Sequence, residues 1–126
     1  MTFRRKLWMH VESLANSRIP VYVQEGEVHL EDGMRVDAYY DVDTPEIVVA
    51  WVPNVELMKS RLHHELLHVC FGAHSGDTKA QVLGGRSLDA RFAREEHIVS
   101  FLEPVQYDLL VRNGWLRYPN PPRFGR

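Results

Sequence analysis

The sequence is poor in the features that mark several classes of protein. It has a single cysteine in 126 residues, which excludes an internal disulfide and a cysteine-rich metal site and favours a reducing compartment. No run approaches the roughly 18 apolar residues that a membrane-spanning helix needs. With 15 basic and 17 acidic residues the formal net charge is -2, so nucleic acid is not an expected partner. We therefore expect a soluble cytoplasmic protein with no membrane association.

The apolar pattern predicts an α+β fold that begins with a helix and a small sheet. Four apolar residues recur at helical spacing within residues 2–17 and predict an N-terminal helix. Residues 21–52 then show short β runs separated by turns that contain glycine or proline. This part of the chain is expected to form a small, mostly antiparallel sheet of three or four strands in a meander.

Two more helices are predicted after the sheet. Pro53-Asn54 supplies a stop and an N-cap, and the apolar stripe that follows predicts a helix over residues 55–71. After a polar, glycine-rich segment at 72–88, another helical pattern begins at Asp89 as N-cap and ends at Asn113-Gly114.

The last of these helices contains a proline, and more prolines follow it. Pro104 is expected to kink or split the helix, because its ring clashes with the preceding turn. Residues 118–126 hold three prolines and predict an extended tail. Residues 1–117 are then expected to form a single domain.

The chemistry is concentrated in the segment His64-Glu65-Leu66-Leu67-His68. Histidines four residues apart on a helix project to the same side, so both imidazoles can reach one metal ion. Glu65 is then placed beside the ion without binding it. A carboxylate there can act as the general base that takes a proton from water.

A catalytic zinc ion takes three protein ligands, so His64 and His68 need a partner from elsewhere in the chain. His74 has the spacing of a longer zinc motif, but that motif has glycine where this chain has Phe71. The other candidates are Glu95, Glu96 and His97. Glu95 shares its helix face with apolar residues expected to be buried, whereas Glu96 lies on a more polar side. Glu95 is the predicted ligand, Glu96 the alternate and His74 the third choice.

This combination resembles the gluzincins, zinc peptidases whose third ligand is a glutamate on a following helix. In size the chain is similar to minigluzincins and ImmA/IrrE-type domains. It also resembles small phage and prophage proteins that have a His-Glu-Leu-Leu-His helix, an EExIV segment and an Arg-Asn pair. In this chain those pieces are His64 to His68, Glu95-Glu96-His97-Ile98-Val99 and Arg112-Asn113. The resemblance implies a minimal zincin-like fold, a Zn2+ cofactor and metallopeptidase activity.

The resemblance also implies how a substrate is bound. A peptide or protein substrate would lie extended along an edge strand next to the zinc, and Ile47–Trp51 is the implied strand. An oxyanion-stabilising donor is also required, and the candidates are Tyr39, Tyr40, Tyr107 and His97.

Two interpretations of function remain open. The first is a zinc-dependent peptide hydrolase with Glu65 as general base. The alternative is a zinc-binding regulatory or structural protein of phage or prophage origin with little or no hydrolytic activity, in which residues 118–126 lie in the cleft. The two differ in whether one zinc position is open to water.

Overall fold

A computed structural model of the chain describes residues 3–12, 18–75 and 90–125. These residues form an α+β fold, as the apolar pattern predicted, with a small mixed sheet and two helices. The elements are β1 (Arg5–Val11), β2 (Ile19–Gln24), β3 (Val28–His29), β4 (Arg35–Val36), β5 (Ala38–Asp41), β6 (Glu46–Ala50), α1 (Val55–Ser75) and α2 (Ala90–Arg112).

The main sheet has the strand order β1-β2-β6-β5, and β3 and β4 form a separate antiparallel hairpin. β1 and β5 each pair antiparallel with their neighbour, but β2 and β6 run parallel. The sheet is therefore not the predicted meander. β6 lies between two strands and has no free edge, so the strand implied as the peptide-binding edge, Ile47–Trp51, is central instead. The edges of this sheet are β1 and β5.

The predicted N-terminal helix is wrong, because Arg5–Val11 forms β1. Met9 and Val11 pack against the core while Lys6 and His10 are exposed, which is the alternation of a strand. A register shift between Leu7 and Met9 inserts Trp8 as an extra residue. This bulge breaks the period of two, so the apolar positions imitate helical spacing. The rest of the predicted helix, residues 13–17, lies outside the described residues.

The core lies between one face of the sheet and α1. Met58, Leu62 and Val69 of α1 are buried and project from one side of the helix. They belong to one cluster with the inward residues of the central strands, Val21, Val23, Ile47 and Val49, all fully buried. This packing fixes the rotation of α1 about its axis, and with it the direction in which the other faces of the helix point.

The helix ends follow local signals in the sequence. The Asn54 side-chain oxygen accepts a hydrogen bond from the backbone N–H of Leu57 at 3.1 Å, which confirms the predicted N-cap. α1 runs to Ser75, beyond the predicted end at residue 71. α2 ends before Gly114, whose φ of +71° is the left-handed conformation that glycine accepts at a helix end.

Pro104 does not split α2, which is one helix from Ala90 to Arg112. Proline removes one helical hydrogen bond, but Pro104 is exposed and water can replace that bond. The outward side of α2 carries exposed apolar residues, among them Phe101 (69 % exposed), Val105 and Leu109. No helix within the described ranges combines the length and the apolar character needed to cross a membrane.

The described part of the tail, residues 118–125, packs along β1. Tyr118 and Phe124 contact the core cluster, and Trp8 donates its indole N–H to the carbonyl oxygen of Pro119 at 2.9 Å. The Tyr118 hydroxyl also lies 2.7 Å from Nδ1 of His63, which is buried in α1. The tail therefore covers the β1 side of the core.

The burial of Trp8 allows a test of the β1 assignment. Trp8→Ala removes a large buried side chain and its hydrogen bond, so we expect the free energy of unfolding to fall by about 3 kcal/mol. The control is Leu7→Ala, because Leu7 is the neighbouring residue and is 46 % exposed. Its loss should stay below about 1 kcal/mol. Urea denaturation measures the free energy of unfolding of both variants. Equal losses would contradict the assignment of β1 as a strand that buries Trp8.

Candidate metal centre

The candidate site is a cavity of about 240 Å³ between α1, α2 and the start of β5. α1 contributes four residues at the spacing i, i+3, i+4 and i+7, which places them on neighbouring faces of the helix. The described lining residues are Arg61, His64, Glu65 and His68 of α1, Glu96 and Glu103 of α2, and Asp37 and Ala38.

Three side chains from the two helices converge in this cavity. Nε2 of His64 and Nε2 of His68 each lie 2.9 Å from the same oxygen of Glu96, Oε1. One ligand atom from each of the three residues lies within 4.8 Å of the others. His64, His68 and Glu96 can therefore hold a metal ion.

The second ring nitrogen of His68 has its own partner. Nδ1 donates to Oε2 of Glu95 at 2.6 Å, and both side chains are buried. Such a bond fixes the orientation of the ring and keeps a proton on Nδ1, so that Nε2 is the nitrogen directed to a ligand. Glu95 thus contacts the back of the imidazole that faces the cavity.

The two glutamates therefore occupy different positions from those the sequence suggested. Glu95 was the predicted third ligand, but the group able to hold a metal contains the alternate, Glu96. Consecutive residues of a helix point about 100° apart, and of these two Glu96 lines the cavity while Glu95 contacts the far side of His68. Glu95 is buried beside Val99, whereas the more polar side with Glu96 and Glu103 lines the cavity. The side chain of His74 lies outside the described residues.

The carboxylates also set the charge of the site. Burial lowers the pKa of His68, but hydrogen bonds to Glu95 and Glu96 outweigh it and raise the pKa to about 9. Burial raises the pKa of Glu96, but hydrogen bonds from His64 and His68 outweigh it and lower the pKa to about 2. In the absence of a metal, the two carboxylates therefore favour the imidazolium form of His68, which carries a proton on each ring nitrogen.

Glu65 stands apart from these hydrogen bonds but lines the same cavity. Glu65 is buried, with 8 % of its surface exposed. Burial raises the pKa of this carboxyl, and His68 and His64 oppose that change. A carboxylate with a raised pKa is a better proton acceptor than an exposed one.

The residues predicted to stabilise an oxyanion lie outside the cavity, and two residues that line the cavity were not predicted from the sequence. Tyr39 donates to Glu46, Tyr107 donates to Glu56, Tyr40 is buried in the core and His97 is exposed. None of these four oxyanion candidates is among the described residues that line the cavity. Arg61 and Glu103 were missed, although Arg61 precedes His64 by three residues and Glu103 follows Glu96 by seven, spacings that share a helix face.

Comparison of the chain with profiles of known protein families, with curated proteins and with solved structures finds no match. The side chains of the site therefore carry the functional inference. Two imidazoles and one carboxylate form a ligand set that catalytic zinc uses in hydrolases.

The different contacts of the two glutamates predict different effects on metal affinity. His64, His68 and Glu96 together are called the metal group. Glu96→Ala removes a carboxylate oxygen from this group. Glu95→Ala removes only the hydrogen-bond partner of His68 Nδ1 and should weaken zinc binding by about 10- to 100-fold. We expect the larger loss from Glu96→Ala. Competition with a chromophoric chelator measures both constants, and a larger loss from Glu95→Ala would reverse the two assignments.

The raised pKa of His68 predicts that metal and protons compete. A metal ion needs the free electron pair of Nε2, which is protonated below a pKa of about 9. Burial lowers the pKa of His64, but its hydrogen bond to Glu96 outweighs burial and raises the pKa, so His64 must lose a proton as well. Apparent zinc affinity should therefore rise at least about tenfold per pH unit from pH 7 toward 9 and level off once both imidazoles are deprotonated. Zinc titrations at several pH values measure this slope, and an affinity independent of pH in this window would contradict the assignment.

Proposed function

We propose that the protein is a zinc-dependent peptide hydrolase in which His64, His68 and Glu96 hold the ion and Glu65 is the general base. One observation carries the proposal. The two Nε2 atoms and a carboxylate oxygen converge in the cavity that the buried carboxyl of Glu65 also lines. Ligands and base thus border the same space.

The roles of the protein's own groups follow from their positions. A zinc ion, when bound, supplies Lewis acidity that polarises a carbonyl and lowers the pKa of water. Glu65 accepts the proton of the attacking water and then returns it to the leaving amine, which is general base and general acid catalysis by one group. Glu95 holds His68 in the orientation and tautomer that this arrangement requires.

The substrate class is supported by the position of the cavity beside a sheet edge. β5 is an edge strand of the main sheet, and Ala38, its first residue, lines the cavity. An edge strand can pair with an extended peptide through its backbone groups. We propose that a peptide substrate lies along β5, the role that the resemblance to gluzincins implied for Ile47–Trp51.

The alternative function, a zinc-binding protein whose tail lies in the cleft, has less support. The tail packs at β1, whereas the cavity lies at β5, and these strands form opposite edges of the sheet. No described residue of the tail lines the cavity. A regulatory or structural function without hydrolytic activity is therefore one of the outcomes that the following experiment distinguishes.

The experiment compares Glu65→Gln with the wild type on a peptide library in the presence of zinc. Glutamine has the shape of glutamate but cannot accept the proton, so we expect at least about a 100-fold loss of kcat. Zinc content should be unchanged, because Glu65 is not in the metal group.

Glu56→Gln is the control, since Glu56 lies on the exposed first turn of the same helix. It should keep full activity. A Glu65→Gln protein that hydrolyses peptides at the wild-type rate would overturn the role of Glu65. A wild-type protein that binds zinc but cleaves no peptide would favour the non-enzymatic alternative.

A further inference from the structure

Arg61 is a charged residue of the cavity that the proposed reaction does not use. It lies on α1 three residues before His64 and lines the same space as Glu65 and His68. Its side chain is only 23 % exposed. A largely covered cationic side chain that lines the cavity of the metal ligands points to a role in that cavity.

Within the part of the chain that the structure describes, the contacts of Arg61 leave most of its hydrogen-bonding capacity unused. Among the described residues its ion-pair partner is Asp37, with 3.4 Å between Nη2 and Oδ2. The Asp37 side chain is 72 % exposed, so solvent weakens this pair. A guanidinium has five N–H donors in a planar fork, and the fork matches the two oxygens of a carboxylate.

Arg61 also borders a second cavity. This cavity has a volume of about 350 Å³ and lies between the β3–β4 hairpin and the end of β6. Its described lining residues include Arg61 and Asp37 together with Arg35 and Trp51. Arg61 and Asp37 thus stand at the junction of two cavities, one of which contains the metal group.

Arg61 could act on the reacting carbonyl itself or could recognise a neighbouring part of the substrate, and its position bears on this choice. Its contact with Asp37 holds the guanidinium at this junction, whereas His64, His68 and Glu96 converge in the first cavity. A group bound by Arg61 at this junction would lie where the cavity of the metal ligands continues into the second cavity. This position suits recognition of a neighbouring part of the substrate.

We propose that Arg61 binds a carboxylate of the peptide substrate and makes the enzyme selective for an acidic group next to the cleaved bond. The proposal rests on the proposed function for the nature of the substrate. The carboxylate belongs either to an acidic side chain or to a free C-terminus. Asp37 competes for the guanidinium in the absence of substrate.

Binding to the zinc-loaded Glu65→Gln protein tests this selectivity without hydrolysis. The probes are acetylated hexapeptide amides that carry one glutamate at each position in turn, the same peptides with glutamine, and the glutamine peptides with a free C-terminal acid. We expect a glutamate at one position, or the free acid, to bind at least about tenfold more tightly than its neutral counterpart. Which of the two peptides does so identifies the source of the carboxylate.

Three further substitutions in the Glu65→Gln background assign the preference to a residue. Arg61→Gln should remove it, Arg61→Lys should retain part of it because lysine keeps the charge without the fork, and Asp37→Asn should increase it by freeing the guanidinium. Arg35→Gln is the matched control, since Arg35 is exposed and lines the second cavity but is not among the described residues that line the first. Asp37→Asn and Arg61→Lys keep the test decisive if Arg61→Gln does not fold.

The outcomes separate this proposal from the proposed function. Three results would overturn the role of Arg61 even if the wild type cleaves peptides. Acidic and neutral peptides could bind equally well, the preference for acidic peptides could survive Arg61→Gln, or that preference could disappear with Arg35→Gln. An Arg61-dependent preference in a protein whose wild type cleaves nothing supports the carboxylate site and overturns hydrolysis alone.

Discussion

The imidazole of His68 is held from both sides by consecutive carboxylates of α2, and the geometry of the site depends on this contact. A buried ring needs a partner for each nitrogen, because an unsatisfied polar atom in the interior is costly. Glu95 and Glu96 supply both partners, at 2.6 Å and 2.9 Å. The same contact fixes the rotation of α2 against α1, and it therefore decides which residues of α2 face the cavity and which lie behind His68.

The parts of the site that could be predicted from the sequence are those defined within one helix. The spacing of His64 and His68 and the cap at Asn54 are local. Both histidines lie in α1, and Asn54 caps its N-terminus, as expected. The choice between Glu95 and Glu96 depends on how one helix is rotated against another, which local spacing does not contain. The prediction assumed that a ligand belongs to the buried face of α2. In the structure that face supports His68, and the polar side faces the cavity.

The fold also divides into features that are set locally, which the sequence predicts, and features that depend on pairing between distant segments, which it does not. The turns at Gly26 and Gly33, both with positive φ, separate strands where the sequence predicted turns. The parallel pairing of β2 with β6 joins segments that are distant in sequence, and the periodicity of each strand is the same whichever neighbour it has. β1 was mistaken for a helix because the bulge at Trp8 disturbs the alternation over a strand of seven residues. Its identity as a strand comes from pairing with β2.

The covering of Trp8 by the tail has a consequence for synthesis of the chain. The hydrogen bond from Trp8 to Pro119 joins residues separated by 111 positions. While the ribosome makes the intervening sequence, the indole has no partner from the tail, and the nascent sheet presents an apolar surface. Contacts of such long sequence separation slow folding and prolong the exposure of aggregation-prone intermediates. The final packing of the β1 side therefore has to wait until the tail has been made, although β1 is among the first segments to be synthesised.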